Sequence, residues 1–250
     1  MTADRIWTAA LLIIGDEILS GRTQDANLAY IAKWLGVQGI RLREVRVVAD
    51  DFGAIGDAVI TLSAAHDYLF TTGGIGPTHD DITVDAIAAA LGLAVTVHPQ
   101  ARAILEGYYR DQLTDARLRM ARTPEGATLI ENPRTMAPGI RIGNIFIMAG
   151  VPKITQGMLA ALDGQLPGGA PVLNRTVAAW TQESMAAATL AAVEKAHEGT
   201  QIGSYPFWRE GKVGANFVIR TTDAEQLAAT AEDLITALRE AGIDPVDGEI

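Results

Sequence analysis

Apolar residues fill positions 9–14 without a break, as in a strand covered on both faces, and then recur at Leu28, Ile31, Ala32 and Leu35, the spacing of one helical face. The same alternation returns twice. Residues 40–48 predict a second strand, followed by the i, i+3, i+4, i+7 stripe Ile55, Ala58, Val59 and Leu62. A third strand over 68–71 leads through a glycine-rich loop to a helix with Val84, Ile87, Ala88 and Leu91 on one side. Three strand–helix units in succession predict an α/β protein with a three-layer, mostly parallel, Rossmann-like sheet.

Further on, a short strand over 94–97, a helix near 102–112 and a hairpin turning at Gly143-Asn144 between 140–142 and 145–148 make the sheet mixed. A helix over 154–162 closes this domain. Residues 163–171, with three Gly and two Pro among nine, have the composition of a linker, which places the domains at 1–165 and 172–250. The second predicts a small α+β domain of order βαββα: strand 172–179, helix 183–197, strands 201–205 and 214–221, helix 224–241. Its first helix carries Met185, Ala188, Ala192 and Ala196, a stripe suited to close packing on a sheet.

Composition narrows the function. Acidic residues outnumber basic ones by 30 to 20, for a formal charge of −10, and no run of Lys or Arg offers a surface for a polyanion, so nucleic acid is not an expected partner. A phosphate ligand would need backbone amides or a bound cation to attract it. The absence of cysteine excludes disulfides, thiolate metal sites and a thiol nucleophile, in keeping with a cytoplasmic location. The apolar stretch 7–14 follows a single Arg and precedes Gly15-Asp16-Glu17, which suits a buried strand rather than a signal core, and nothing approaches a membrane span.

Chemistry concentrates at Thr72-Gly73-Gly74-Ile75-Gly76-Pro77-Thr78-His79-Asp80-Asp81, between a predicted strand and a predicted helix. Gly73, Gly74 and Gly76 let the backbone approach phosphate oxygens with its amides, or serve only a tight turn. Asp80 and Asp81 beside such a cradle would repel the ligand unless a divalent cation bridges them or one acts as a base; as helix-start residues they are also favourable, and Asp85 lies one turn on. Asp16 after the first strand, and Asp50 and Asp51 after the second, bring carboxylates to the same sheet edge, although Asp50 or Asp51 can equally be a cap. Thr23, Asp25 and Asn27 offer hydrogen bonds to a sugar or base, or cap a helix. Among His66, His79, His98 and His197 only His79 is near this loop, and Ser20, Ser63, Ser184 and Ser204 have no nucleophile-elbow context.

Gly15-Asp16-Glu17-Ile18-Leu19-Ser20-Gly21, Thr23 through Asn27, Thr72 through Thr78 with Asp80-Asp81, Pro124-Glu125-Gly126-Ala127 and Pro138-Gly139 together resemble the MoaB/Mog family of molybdopterin-binding-like domains, in its stand-alone CinA-type branch. The resemblance implies that Gly73, Gly74, Gly76, Asp16, Asp50 and Asp81 line the ligand site, and that Thr78 and Asn27 join it. It implies one of three activities. The first is divalent-metal-dependent (Mg, Mn or Co) pyrophosphatase action on ADP-ribose, FAD or a related dinucleotide, with Asp16, Asp50 and Asp81 catalytic and Asp80 and Asp81 on the metal. The second is molybdopterin binding or adenylyl transfer, and the third non-catalytic nucleotide binding. Homo-oligomers are common in the family. The chain departs from the family's Pro-Gly-x-Pro loop with Ala149-Gly150-Val151-Pro152 and Lys153, while Ser204-Tyr205-Pro206 is similar to the form found with FAD synthases. No amidohydrolase segment follows residue 250, so that activity of longer CinA proteins is not expected.

Overall fold

The computed structural model describes residues 5–209 and 211–250. The chain divides after Gly169 into two compact units. In chain order the first unit contains β1 (Trp7–Ile14), α1 (Asp16–Leu19), α2 (Asn27–Val37), β2 (Ile40–Val48), α3 (Phe52–Ala65), β3 (Tyr68–Thr72), α4 (Thr83–Ala90), β4 (Val95–Val97), α5 (Pro99–Tyr109), α6 (Asp115–Leu118), β5 (Arg122–Pro124), β6 (Thr128–Ile130), β7 (Gly139–Ile142), β8 (Ile145–Met148) and α7 (Pro152–Ala160).

The main sheet has the order β2-β1-β3-β8-β7-β6. Strands β2, β1, β3 and β8 run parallel, β7 is antiparallel to β8 as the 143–144 turn requires, and β6 pairs antiparallel with β7. Burial follows the period of two. Leu11, Ile13, Tyr68, Phe70 and Phe146 face α2 and α7, while Leu12, Ile14, Leu69 and Ile147 face α3 and α4. On the first face Phe70 and Phe146, cross-strand partners, stack with centroids 4.8 Å apart, and Trp34 of α2 meets Phe70 edge-on at 5.9 Å. Such pairs add about 0.5–1.5 kcal/mol each beyond their buried area and set the depth of α2 against the strands. Asp51 caps α3, accepting the Ala54 amide at 2.8 Å. We expect Asp51→Ala to cost about 1 kcal/mol and to lower Tm by about 2–4 °C in a thermal melt.

Two sequence expectations need correction here. The buried face of α2 includes Asn27 and Trp34, while Leu28 is exposed. The stretch 163–169 is also no free linker. Asp163 accepts Trp34 Nε1 at 2.5 Å, Leu166 enters the core, and the Gly169 amide donates to the Gly39 carbonyl at 3.0 Å. A Cβ on Gly39 would sit 1.9 Å from the Gly169 oxygen, so glycine serves close backbone contact at this point rather than slack.

The second unit holds β9 (Leu173–Ala179), α8 (Glu183–Ala196), β10 (Gln201–Arg209), β11 (Lys212–Thr221), α9 (Ala224–Glu240) and β12 (Pro245–Asp247). Its antiparallel sheet has the order β10-β11-β9-β12, one strand more than the pattern predicts. Val177, Phe217 and Ile219 meet Ala186, Leu190 and Val193 of α8 and Leu234 of α9. The stripe expected to pack, Met185, Ala188, Ala192 and Ala196, is exposed instead.

Candidate functional site

Leaving β1, the chain forms β2 on one side and then crosses back to form β3 on the other, so the β1–β3 edge is the sheet's topological switch point, where open α/β sheets bind ligands. A cleft of ≈ 560 Å³ opens there, within the range for small-molecule sites. Gly15, Glu17, Thr23, Asp50, residues 73–77, Asp80 and Asp81 form one wall; Met120, Pro138, Val151, Ile154 and Met158 form an apolar one.

The loop after β3 is held by its carbonyls. Thr83 donates its amide to the Gly74 oxygen at 3.1 Å and its hydroxyl to the Gly73 oxygen at 3.0 Å, while the Gly73 amide is taken by Met148. The amides of Gly74, Ile75 and Gly76 have no acceptor among the described residues. Partly buried amides without partners are costly unless water or a ligand satisfies them, which suits an anion. Asp81 folds back on this loop. Its Oδ2 accepts the Thr78 amide at 2.8 Å and hydroxyl at 2.6 Å, leaving Oδ1 without a partner among the described residues.

Asp16 and Asp50 grip each other. The Asp16 amide donates to Asp50 Oδ2 at 3.0 Å and the Asp50 amide to Asp16 Oδ1 at 3.3 Å. Burial raises the Asp50 carboxyl above its ordinary value, the Asp16 amide opposes this, and the charges of Asp16, Glu17 and Asp80 push it up further. Asp80, at the exposed rim, is lowered by the Thr78 hydroxyl beside it and by its own backbone amide, although that hydroxyl's hydrogen bond is to Asp81. A raised folded pKa means the native state holds the Asp50 proton more tightly than the unfolded chain. Its contribution to stability therefore falls as pH rises from the ordinary 3.8 through the raised folded value, and stays lost above it. We expect Asp50→Asn, which cannot ionise, to remove that loss, so that in melts from acid to neutral pH the variant gains on the parent as pH rises.

The expected site residues therefore separate by position. Glu17, singled out by nothing but its neighbours in sequence, lines the cleft with Gly73, Gly74, Gly76, Asp50, Asp80 and Asp81; Asp16 and Thr78 brace Asp50 and Asp81. Asn27 is 4% exposed and donates to the Gly150 carbonyl at 2.7 Å, holding the loop after β8. Asp25, just ahead of α2, accepts the Leu28 amide at 2.7 Å, and Asp85 is paired with Arg122 at 2.5 Å. His79, its side chain 97% exposed, lies 4.0 Å from Asp80 and outside the cleft lining. Among the described residues no three His, Asp or Glu side chains converge as a metal-ligating group.

A doubly wound α/β domain with a carboxylate-rich, amide-lined cleft at its switch point belongs to the Rossmann-like class of α/β folds. Residues 10–168 match the family described as a probable molybdopterin binding domain, and the chain belongs to that family; residues 171–247 match the FAD synthase middle domain. Protein Ta0487 of Thermoplasma acidophilum is 33% identical over 79% of this chain and 80% of its own length. A probable FAD synthase of Caenorhabditis elegans is 30% identical over 93% of this chain, which spans only 49% of that protein. The crystal structure of CinA from Thermoplasma acidophilum, described as of unknown function, superposes with a TM-score of 0.60 at 35% identity, covering 64% of this chain and 98% of that one. The MoaB/Mog-type fold and the CinA-like and FAD-synthase-like kinship expected from the motifs hold. No helix among the described residues is long and apolar enough to cross a membrane.

Proposed function

We propose that this chain is a divalent-metal-dependent nucleotide pyrophosphatase acting on ADP-ribose, FAD or a related dinucleotide. One observation carries the reading: four carboxylates, Glu17, Asp50, Asp80 and Asp81, line a cleft beside the free amides of Gly74, Ile75 and Gly76, while the cations at this loop, Arg119 and Arg122, line a smaller adjoining pocket and Arg122 is already paired with Asp85. A phosphate ester beside four carboxylates is held far better with a cation between them than by the amides alone. The donor set fits magnesium or manganese held by one or two carboxylates, Asp80 and Asp81, with the ligand's phosphates completing the shell; it does not fit a closed all-protein site. Such an ion would supply charge neutralisation at the phosphoanhydride and acidify a water.

The chain's own groups do the rest. The amides of residues 74–76 orient the phosphates, Asp50 with its raised carboxyl is suited to take a proton from water, Asp16 holds Asp50 in place, and the wall of Met120, Pro138, Ile154 and Met158 excludes solvent from the apolar half of the ligand. The expected result, with each dinucleotide incubated with magnesium, manganese or cobalt, is AMP release that chelation abolishes. No product from any dinucleotide with any of the three metals would overturn the reading and leave molybdopterin handling, favoured by the family match, as the function to test through pterin retained on purification.

A further inference from the structure

The smaller pocket that adjoins the cleft shares Gly74, Ile75, Gly76 and Asp81 with it and is lined in addition by Asp85, Arg119 and Arg122. Its two arginines are in different states. Arg122 holds Asp85 with both arms of its guanidinium, at 2.5 and 3.2 Å, so its charge is spent. Arg119, half-buried, makes no ion pair and no side-chain hydrogen bond among the described residues, in a chain with 30 acidic residues against 20 basic ones. The backbone beneath it is fixed. Ala121, two residues on, is fully buried with Ala101 and Leu105, and its carbonyl accepts the His98 amide at 2.8 Å. The Arg122–Asp85 pair ties the same turn to α4, whose first residue, Thr83, holds the carbonyls of the glycine loop. An unpaired guanidinium on a braced turn, beside free amides, is prepared for an anion from outside the chain.

We infer that Arg119 binds the second phosphate of a diphosphate-bridged ligand whose first phosphate lies on the amides of residues 74–76, an inference that rests on the proposed nucleotide site and names what it selects. Size decides which part of the ligand goes where. The adjoining pocket, at ≈ 20 Å³, has room for little more than a water, enough for phosphate oxygens and too small for a base or a ribose, which stay in the ≈ 560 Å³ cleft. A mononucleotide is satisfied by the cleft alone. Only a ligand with two linked phosphates reaches from the loop amides to Arg119, so this residue sets the preference for dinucleotides and diphosphates over monophosphates. The planar fork of arginine suits a phosphate as it suits a carboxylate, and the Asp85 pair keeps Arg122 from competing for the same group.

Isothermal titration calorimetry of the full chain with ADP and with AMP, at one fixed magnesium concentration, tests this without turnover. The parent should bind ADP about 10-fold or more tightly than AMP. Arg119→Met, which keeps the stem and loses the charge, should weaken ADP about 10- to 30-fold and AMP by less than about threefold, with an unchanged melt. Arg119→Lys, a point charge without the fork, should recover part of the ADP affinity. An ADP affinity in Arg119→Met within about threefold of the parent's, or an equal loss for AMP, would overturn the inference and leave the pyrophosphatase reading untouched. ADP held through Arg119 with no dinucleotide hydrolysed would do the reverse, and a parent that binds neither nucleotide would overturn both.

Discussion

Gly73→Ala is expected to destabilise the first unit by about 3 kcal/mol or more, lowering Tm by roughly 10 °C, or to prevent folding outright. The backbone at Gly73 has φ +106°, and a Cβ built there lies 2.0 Å from the Ile14 carbonyl oxygen. That oxygen belongs to the last residue of β1, so it can retreat only by moving the strand. The Gly73 amide is meanwhile fastened to Met148 of β8 at 3.2 Å, and Gly150 sits against its Cα. Three strand ends meet at one residue without a side chain. Gly92 is the control: its φ is +68°, yet nothing stands within 4 Å of its Cβ position, so Gly92→Ala should lose only the conformational term of about 1 kcal/mol. Equal losses in thermal melts of the two variants would mean that the contact with Ile14 is soft.

The second large effect concerns Asp81. An asparagine keeps the side-chain oxygen that accepts the Thr78 amide and hydroxyl, so the turn is retained while the charge facing the cleft is lost. If the cleft is a pyrophosphatase site, Asp81→Asn should lower kcat/KM by about 100- to 1,000-fold, the scale of removing one electrostatic group from a transition state, with a melting curve close to the parent's. Turnover within about threefold of the parent would make Asp81 a turn residue and nothing else.

Much of the frame was legible in the chain itself. The second strand lies at Ile40–Val48 where alternation predicts it, and Ile55, Ala58, Val59 and Leu62 are all buried, because long periodic segments average out local noise. Elements outside such segments were not. Strand β12 is three residues long and exists by pairing with β9. Asn27 displaces Leu28 from the buried face because the Gly150 carbonyl, more than a hundred residues away in the chain, offers it a partner. The site divides the same way. The glycine loop and its aspartates are contiguous and so stand out, whereas the apolar wall gathers Met120, Pro138, Ile154 and Met158 from separate segments, and only the fold assembles it.

That no Lys or Arg among the described residues lines the cleft itself reaches beyond chemistry. A pocket with its own arginine has an affinity for phosphate set largely by the protein and eroded by salt. With Arg119 and Arg122 in the adjoining pocket rather than the cleft, a divalent ion from solution would supply the countercharge under the proposed function, so ligand and free ion are thermodynamically linked, each tightening the other's hold by the same factor. Under the proposed function, occupancy of this protein would track free magnesium or manganese at constant ligand, and the cleft would act as a coincidence detector that answers only when both are present.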